Sequence, residues 1–171
     1  MTLIPTITYA GVVRLEMTDL PRLSRLCMAC TDFFELIEGQ PGGEATAAEI
    51  IGPLSSEYAC GTKHVFGFES DDELIGVAEY LEGYPSAREW FIGLLLLHPE
   101  HRRKGLGARL STDLLDWIKV QGGVAVRLLV QHQNHLARVF WERQGFSVER
   151  ELVLRVGRLS SPVWILLRTV T

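Results

Sequence analysis

Between residues 94 and 110 the chain reads LLLLHPEHRRKGLGARL: an apolar run ending at Leu97, a short basic turn, two glycines, then a helical pattern. Glu89–Leu97 reads as a strand. Arg103–Val120 reads as a helix, with Leu106, Leu110, Leu114, Trp117 and Ile118 on one face. Gly122 and Gly123 end it, and the Val- and Leu-rich stretch Val124–Val130 reads as the next strand. Strand, helix and strand in succession form a crossover, so strands 89–97 and 124–130 are expected to lie parallel with a right-handed connection.

The remaining connections are short and point to antiparallel neighbours. Thr6–Glu16 reads as a first strand. Asp19 is placed to cap a helix with Pro21 just inside its start, and Leu20, Leu23, Leu26 and Cys27 recur at helical spacing. A second helix is expected from Asp32 to the glycine-rich break at Gly39–Gly43, and a third over Ala45–Ile51. Strands follow at His64–Glu69 and Glu73–Leu81, joined by the turn Ser70-Asp71-Asp72. Asn134–Gln144 reads as a helix stopped by Gly145, and Phe146–Val156 and Val163–Val170 as two last strands. The expected fold is α/β (α+β): a mixed, mostly antiparallel seven-stranded sheet flanked by helices, as one domain over residues 1–171.

Composition excludes several classes. With 17 Lys and Arg against 21 Asp and Glu the net charge is −4, which disfavours general nucleic-acid binding. Three Cys are too few for a disulfide framework, and the CxxC at Cys27 and Cys30 falls inside an apolar helical pattern. No basic segment leads into a long apolar run at the N-terminus. The densest apolar run, Trp90–Leu97, is far short of the roughly 20 residues of a spanning helix. A soluble cytoplasmic protein, bound to neither membrane nor nucleic acid, is the expectation.

Gly105 and Gly107 remove side chains where backbone amides meet a helix start, and free amides backed by the helix dipole form an anion site. Arg102, Arg103, Lys104 and Arg109 add positive charge against the single acid Glu100. A P-loop is absent, and Leu110 stands where a dinucleotide fingerprint needs its third glycine.

These residues resemble the GNAT superfamily of acyl-CoA N-acyltransferases. The family signature Gln/Arg-x-x-Gly-x-Gly/Ala is met by Arg102-Arg103-Lys104-Gly105-Leu106-Gly107, preceded by Leu97-His98-Pro99. A second family motif is met by Asn134, Ala137, Trp141, Glu142, Gly145 and Phe146. The resemblance implies that the central parallel pair splays and takes the pantetheine arm of acetyl-CoA against the backbone of Leu95 and Leu97. The Leu95 amide would face the thioester carbonyl, and the segment Arg102, Arg103, Lys104, Gly105, Leu106, Gly107 and Ala108 would hold the pyrophosphate. Asn134 and Trp141 would contact the cofactor arm. The implied reaction is N-acetyl transfer to a primary amine of a small-molecule acceptor, by direct attack in a ternary complex. A non-catalytic CoA-binding protein and a peptide or protein N-acetyltransferase are the alternatives.

Trp141 occupies a position where the family often has a tyrosine that protonates the leaving thiolate; an indole N–H only donates hydrogen bonds. A base is also needed. Alternation puts Glu89, Phe91, Gly93, Leu95 and Leu97 on one face, which makes Glu89 the first choice and Glu79 the second. Region 31–60 holds Asp32, Glu35, Glu38, Glu44, Glu49 and Glu57 with no Lys or Arg. It is expected either to wall the acceptor site or to be ordinary surface. Phe33, Phe34, Tyr58, Tyr80 and Tyr84 are further candidates for that wall. The pairs His98/His101 and His132/His135 lie in loops, and no metal is expected. The apolar last strand could pair across a homodimer or lie inside the sheet.

Overall fold

The computed structural model of the chain describes residues 11–54 and 61–170. The strands are β1 (Gly11–Arg14), β2 (Thr62–Ser70), β3 (Glu73–Glu82), β4 (Glu89–Leu97), β5 (Ala125–Gln131), β6 (Ser147–Val156) and β7 (Leu159–Thr169). The helices are α1 (Leu20–Ala29), α2 (Thr31–Glu38), α3 (Glu44–Ile51), α4 (Leu106–Val120) and α5 (His135–Arg143). Residues 6–10 of the expected first strand lie outside the described residues.

The strands form one seven-stranded sheet in the order β1-β2-β3-β4-β5-β7-β6. Only β4 and β5 are parallel; every other neighbouring pair is antiparallel. The α4 crossover therefore places the parallel pair at the centre, as its position in the chain predicts. Two cores cover the two faces. On one, Leu110, Leu114, Leu115, Trp117 and Ile118 of α4 and Trp141 of α5 pack against Phe66, Tyr80, Trp90, Ile92 and Leu128. On the other, α1 and α3 press Leu23, Leu26, Ala47 and Ile50, with Phe34 of α2, onto Val65, Val77 and Leu96. Each fully buried large apolar side chain contributes about 1.5–3 kcal/mol, so α4 is held by its buried stripe rather than by helix propensity.

Three local expectations are corrected. The α4 helix starts at Leu106, not Arg103, because Arg103 (φ +58°) and Gly105 (φ +78°) hold the basic turn in the left-handed region, outside helical geometry. Asp19 stands at the start of α1 but does not cap it. Its carboxylate instead accepts from the Glu16 amide at 3.0 Å and from Arg22 at 3.2 Å. β7 starts at Leu159, before Pro162, which lies just ahead of Val163, the first residue of β7 paired with β5. β7 is also bonded on both edges, to β5 and to β6, so it has no free edge for a second copy.

Cys27 and Cys30 are fully buried packing residues at the α1–α2 junction; burial pushes the Cys27 thiol up to about 12. The loop after α2 is equally tight. A Cβ on Gly42 would lie 2.4 Å from both the Cys27 carbonyl oxygen and a Phe34 ring carbon. The carbonyl belongs to the backbone and cannot step aside. Gly42→Ala is expected to cost roughly 1–3 kcal/mol and to lower the thermal midpoint by several degrees, read by circular dichroism.

Candidate active site

β4 and β5 are bonded only at their starts, Glu89–Ile92 against Ala125–Leu128. Past that point β4 carries a bulge: Ile92 opposes Tyr80 and Leu94 opposes Glu79, leaving Gly93 without a partner on β3. One extra residue reverses the alternation of faces. Trp90, Ile92, Leu95 and Leu97 all pack toward the α4 core, while Leu94 and Leu96 join the α1 core. The expectation that Glu89 shares a face with Leu95 and Leu97 therefore fails, because simple alternation breaks at Gly93.

The divergence opens a cavity of about 550 Å³ that runs through the sheet. On the α5 side it is lined by Asn134, Ala137 and Trp141, and at the gap by Gly93, Leu94, Leu95 and residues 128–131. On the opposite side it meets Phe33 and Ile37 of α2, Glu79, Tyr84, Phe91, and the β6 residues Arg150, Leu152 and Leu154. Trp141 is held edge-on between Phe140 and Phe146, with centroids at 4.9 and 5.2 Å. Asn134 caps α5, its Oδ1 accepting from the Ala137 amide at 3.2 Å.

The two candidate bases occupy different environments. Glu79 faces the gap: a Cβ on Gly93 would lie 3.0 Å from its Oε1. Burial pushes its carboxyl above the usual range, partly offset by the Lys63 ammonium at 3.8 Å. Lys63 is itself anchored on the end of α3, donating to the carbonyls of Glu49 and Gly52 at 3.0 and 3.1 Å. Glu89 lies at the closed end of the strand pair. It accepts from Ser86 Oγ at 2.8 Å and pairs with Arg127 at 2.9 Å, and the hydrogen-bonded guanidinium holds its carboxyl below the usual range. Arg127 is bound on its other side by Glu149 at 2.8 Å.

At the end of β4 the basic turn presents the first amides of α4. Gly105 supplies no cap, and the Arg109 amide makes the first bond back to Gly105, at 3.2 Å. The amides of Leu106, Gly107 and Ala108 precede it and so precede any bond within the helix. A Cβ on Gly107 would meet Phe140 and Leu97 only at 3.5–3.6 Å, an ordinary contact, so the fold itself does not demand glycine there. These amides fit an anionic ligand such as a pyrophosphate. The Arg102 side chain points elsewhere: it donates to the Leu97 carbonyl at 2.8 Å and grips Asp32 with two nitrogens at 2.6 and 3.2 Å. Through that hydrogen bond it holds the Asp32 carboxyl low.

The acidic segment does not form the wall. Asp32, Glu35, Glu38, Glu44 and Glu49 are absent from the cavity lining, which takes Phe33, Ile37 and Leu54 from this region instead. Glu57 and Tyr58 lie outside the described residues. Phe34 and Tyr80 are core residues. Among the described residues no group of three or more His, Cys, Asp or Glu is placed to hold a metal. His132 stacks on Trp164 at 3.7 Å. Arg127, Arg150 and the bulge were missed in the sequence. The lone glycine inside an apolar strand was the available signal for the bulge.

Comparison with known proteins agrees with this architecture. The acetyltransferase (GNAT) family model matches residues 31–146, and the chain belongs to that family. A search of curated protein sequences finds no match. Among solved structures, an acetyl transferase of Salmonella typhimurium that modifies the N-terminal serine of a 50S ribosomal subunit protein superposes with a TM-score of 0.80. It is 12% identical, and 98% of this chain and 99% of that one are covered. An acetyltransferase from Thermus thermophilus gives 0.73 at 18% identity, covering 98% and 99%. The PaiA N-acetyltransferase of Thermoplasma acidophilum, in complex with coenzyme A, gives 0.68 at 20% identity, covering 95% and 99%.

A branched side chain at position 107 would crowd the approach of a ligand to the first amides of α4. Gly107→Val is expected to abolish CoA binding in calorimetry while the protein keeps its circular dichroism spectrum.

Proposed function

We propose that the chain transfers the acetyl group of acetyl-CoA to a primary amine of a small-molecule acceptor, by direct attack in a ternary complex, with Glu79 as the general base. The observation that carries this reading is a partly buried carboxylate facing the strand gap across Gly93, at the bulge of β4. Acetyl-CoA supplies an activated acetyl thioester. The amides of residues 103–108 hold its pyrophosphate, with Arg103 and Lys104 adding charge around them. The backbone of Leu95 and Leu97, on the edge of β4 that has left β5, takes the pantetheine arm. The Leu95 amide donates toward the thioester oxygen, where negative charge grows during attack.

An alkyl amine has a reference pKa near 10.4 and arrives mostly protonated at neutral pH. Glu79, raised by burial, takes that proton directly or through water. Glu89 is the weaker choice: Arg127 stabilises its charged form, which lowers its basicity. On the other side of the gap Asn134 and Trp141 pack the arm near its thiol end. Trp141 donates no proton in this scheme. A thiol with a reference pKa of about 8.5 leaves tolerably as the anion, and that thiolate takes up the proton the attacking nitrogen still carries as the amide forms.

Glu79→Gln is expected to lower kcat about a hundredfold or more with CoA affinity unchanged. The acidic limb of the pH–rate profile, which reports Glu79 above the ordinary glutamate range, should flatten. Glu89→Gln should leave that limb in place. Trp141→Phe should keep kcat within about tenfold of the parent, because the indole is not the acid. CoA binding without acetylation of any amine would make the chain a CoA-binding member of the family instead.

A further inference from the structure

The acceptor side of the cavity also restricts what kind of amine can enter, if the transfer reading above holds. Its wall is apolar and aromatic, built by Phe33, Ile37, Phe91, Leu129, Leu152 and Ile165. Glu79 is the only carboxylate among the described lining residues, and it sits at the gap. A polyamine or an aminoglycoside would bring further ammonium groups against this wall. Among the described lining residues each would lose water and find no further anion, which is costly.

Two cations line the same side. Arg127 is already held between Glu89 at 2.9 Å and Glu149 at 2.8 Å. Arg150 is exposed and has no ion pair within 4 Å among the described residues; its charge acts at longer range on its neighbour Glu149, which is gripped by Arg127. The strand registers put Arg150, Ile165 and Leu129 in one row across β6, β7 and β5. That row runs from the rim of the cavity to the strand gap. Arg150 thus stands four strand spacings from Glu79 on β3, roughly 19 Å between backbones, so the two side chains mark opposite ends of the apolar floor.

We propose that the acceptor is a small molecule with a single primary amine at one end of an apolar or aromatic body and a carboxylate at the other, several bonds away. The amine lies at Glu79 and the carboxylate on the Arg150 guanidinium, a planar donor suited to it.

The test measures thiol release from acetyl-CoA with 6-aminohexanoate, 8-aminooctanoate and 4-(2-aminoethyl)benzoate, with the carboxamide of each, and with spermidine. At least one of the acids should exceed both its own amide and spermidine in kcat/KM. Arg150→Ala should lower that acid-to-amide preference about tenfold or more, mainly through KM of the acid, and Arg150→Lys should restore part of it. A merely structural role for Arg150 would lower acid and amide together and leave the ratio unmoved. An unmoved ratio, or a preference for spermidine or the amides, overturns this inference and leaves acetyl transfer standing. Calorimetry with acetyl-CoA, run alongside, separates the other failure. A protein that binds acetyl-CoA but acetylates none of these amines overturns the transfer reading, and this inference with it.

Discussion

The structure turns on a strand pair that stops being a pair. β4 and β5 are bonded through Ile92 and Leu128 and then separate, at the centre of the sheet rather than at its edge. Backbone donors and acceptors on the inner edges of both strands lose their strand partner there, and such groups need one. An extended ligand with amides of its own can supply it, by adding to the sheet from within. The rest of the molecule holds the two halves in place around this opening. Arg127 ties the closed end, joining Glu89 on β4 to Glu149 on β6. Gln131 donates to the Ile37 carbonyl at 2.8 Å and fixes the end of α2 over β5. Arg102 fastens the far end of β4 to the start of α2.

That arrangement has an energetic cost, concentrated at Glu79. Burial raises its carboxyl, so its ionised form opposes folding. The cost is absent at low pH, where the group is protonated in both folded and unfolded chains. It grows as pH rises past the unfolded value and is complete above the folded one. The Lys63 ammonium at 3.8 Å returns only part of it. Arg102 and Asp32 work in the opposite sense. Asp32 is held low, so their pairing favours the fold above the ordinary aspartate range and is lost as pH falls through the lowered value. Asp32 is largely exposed, so solvent screens most of that gain. The strand gap is thus a place where stability is given up, and the helix junction beside it is where some is recovered.

Much of the fold was legible because its signals are local. The crossover helix shows a 3.6-residue apolar stripe, and the glycines at 105, 122 and 145 mark element ends by their positive φ. The parallel pair followed from the order of elements alone. The uncapped helix start after the Gly105–Gly107 turn was legible because its features are carried by consecutive residues. What could not be read depends on register and on distance in the chain. Glu89 and Glu79 look alike in sequence; only the pairing shows one beside Arg127 and the other across from Gly93. The acidic count of residues 31–60 misled because charge says nothing of direction. Phe33 and Ile37 face the cavity, and their charged neighbours do not. Arg150 was invisible because β6 reaches the site only after the chain has crossed the sheet and returned.

The bulge at Gly93 also has a bearing on how such a site could arise. A regular strand through this position would continue its alternation. Removing that single residue would turn Leu94–Leu97 over, exchanging the side chains that face α1 with those that face α4. It would also restore an even ladder on β3, with nothing to bend β4 away from β5. The chamber through the middle of the sheet thus begins at a single extra residue in β4. The length of the strand, more than the identity of any side chain on it, is what has to be inherited.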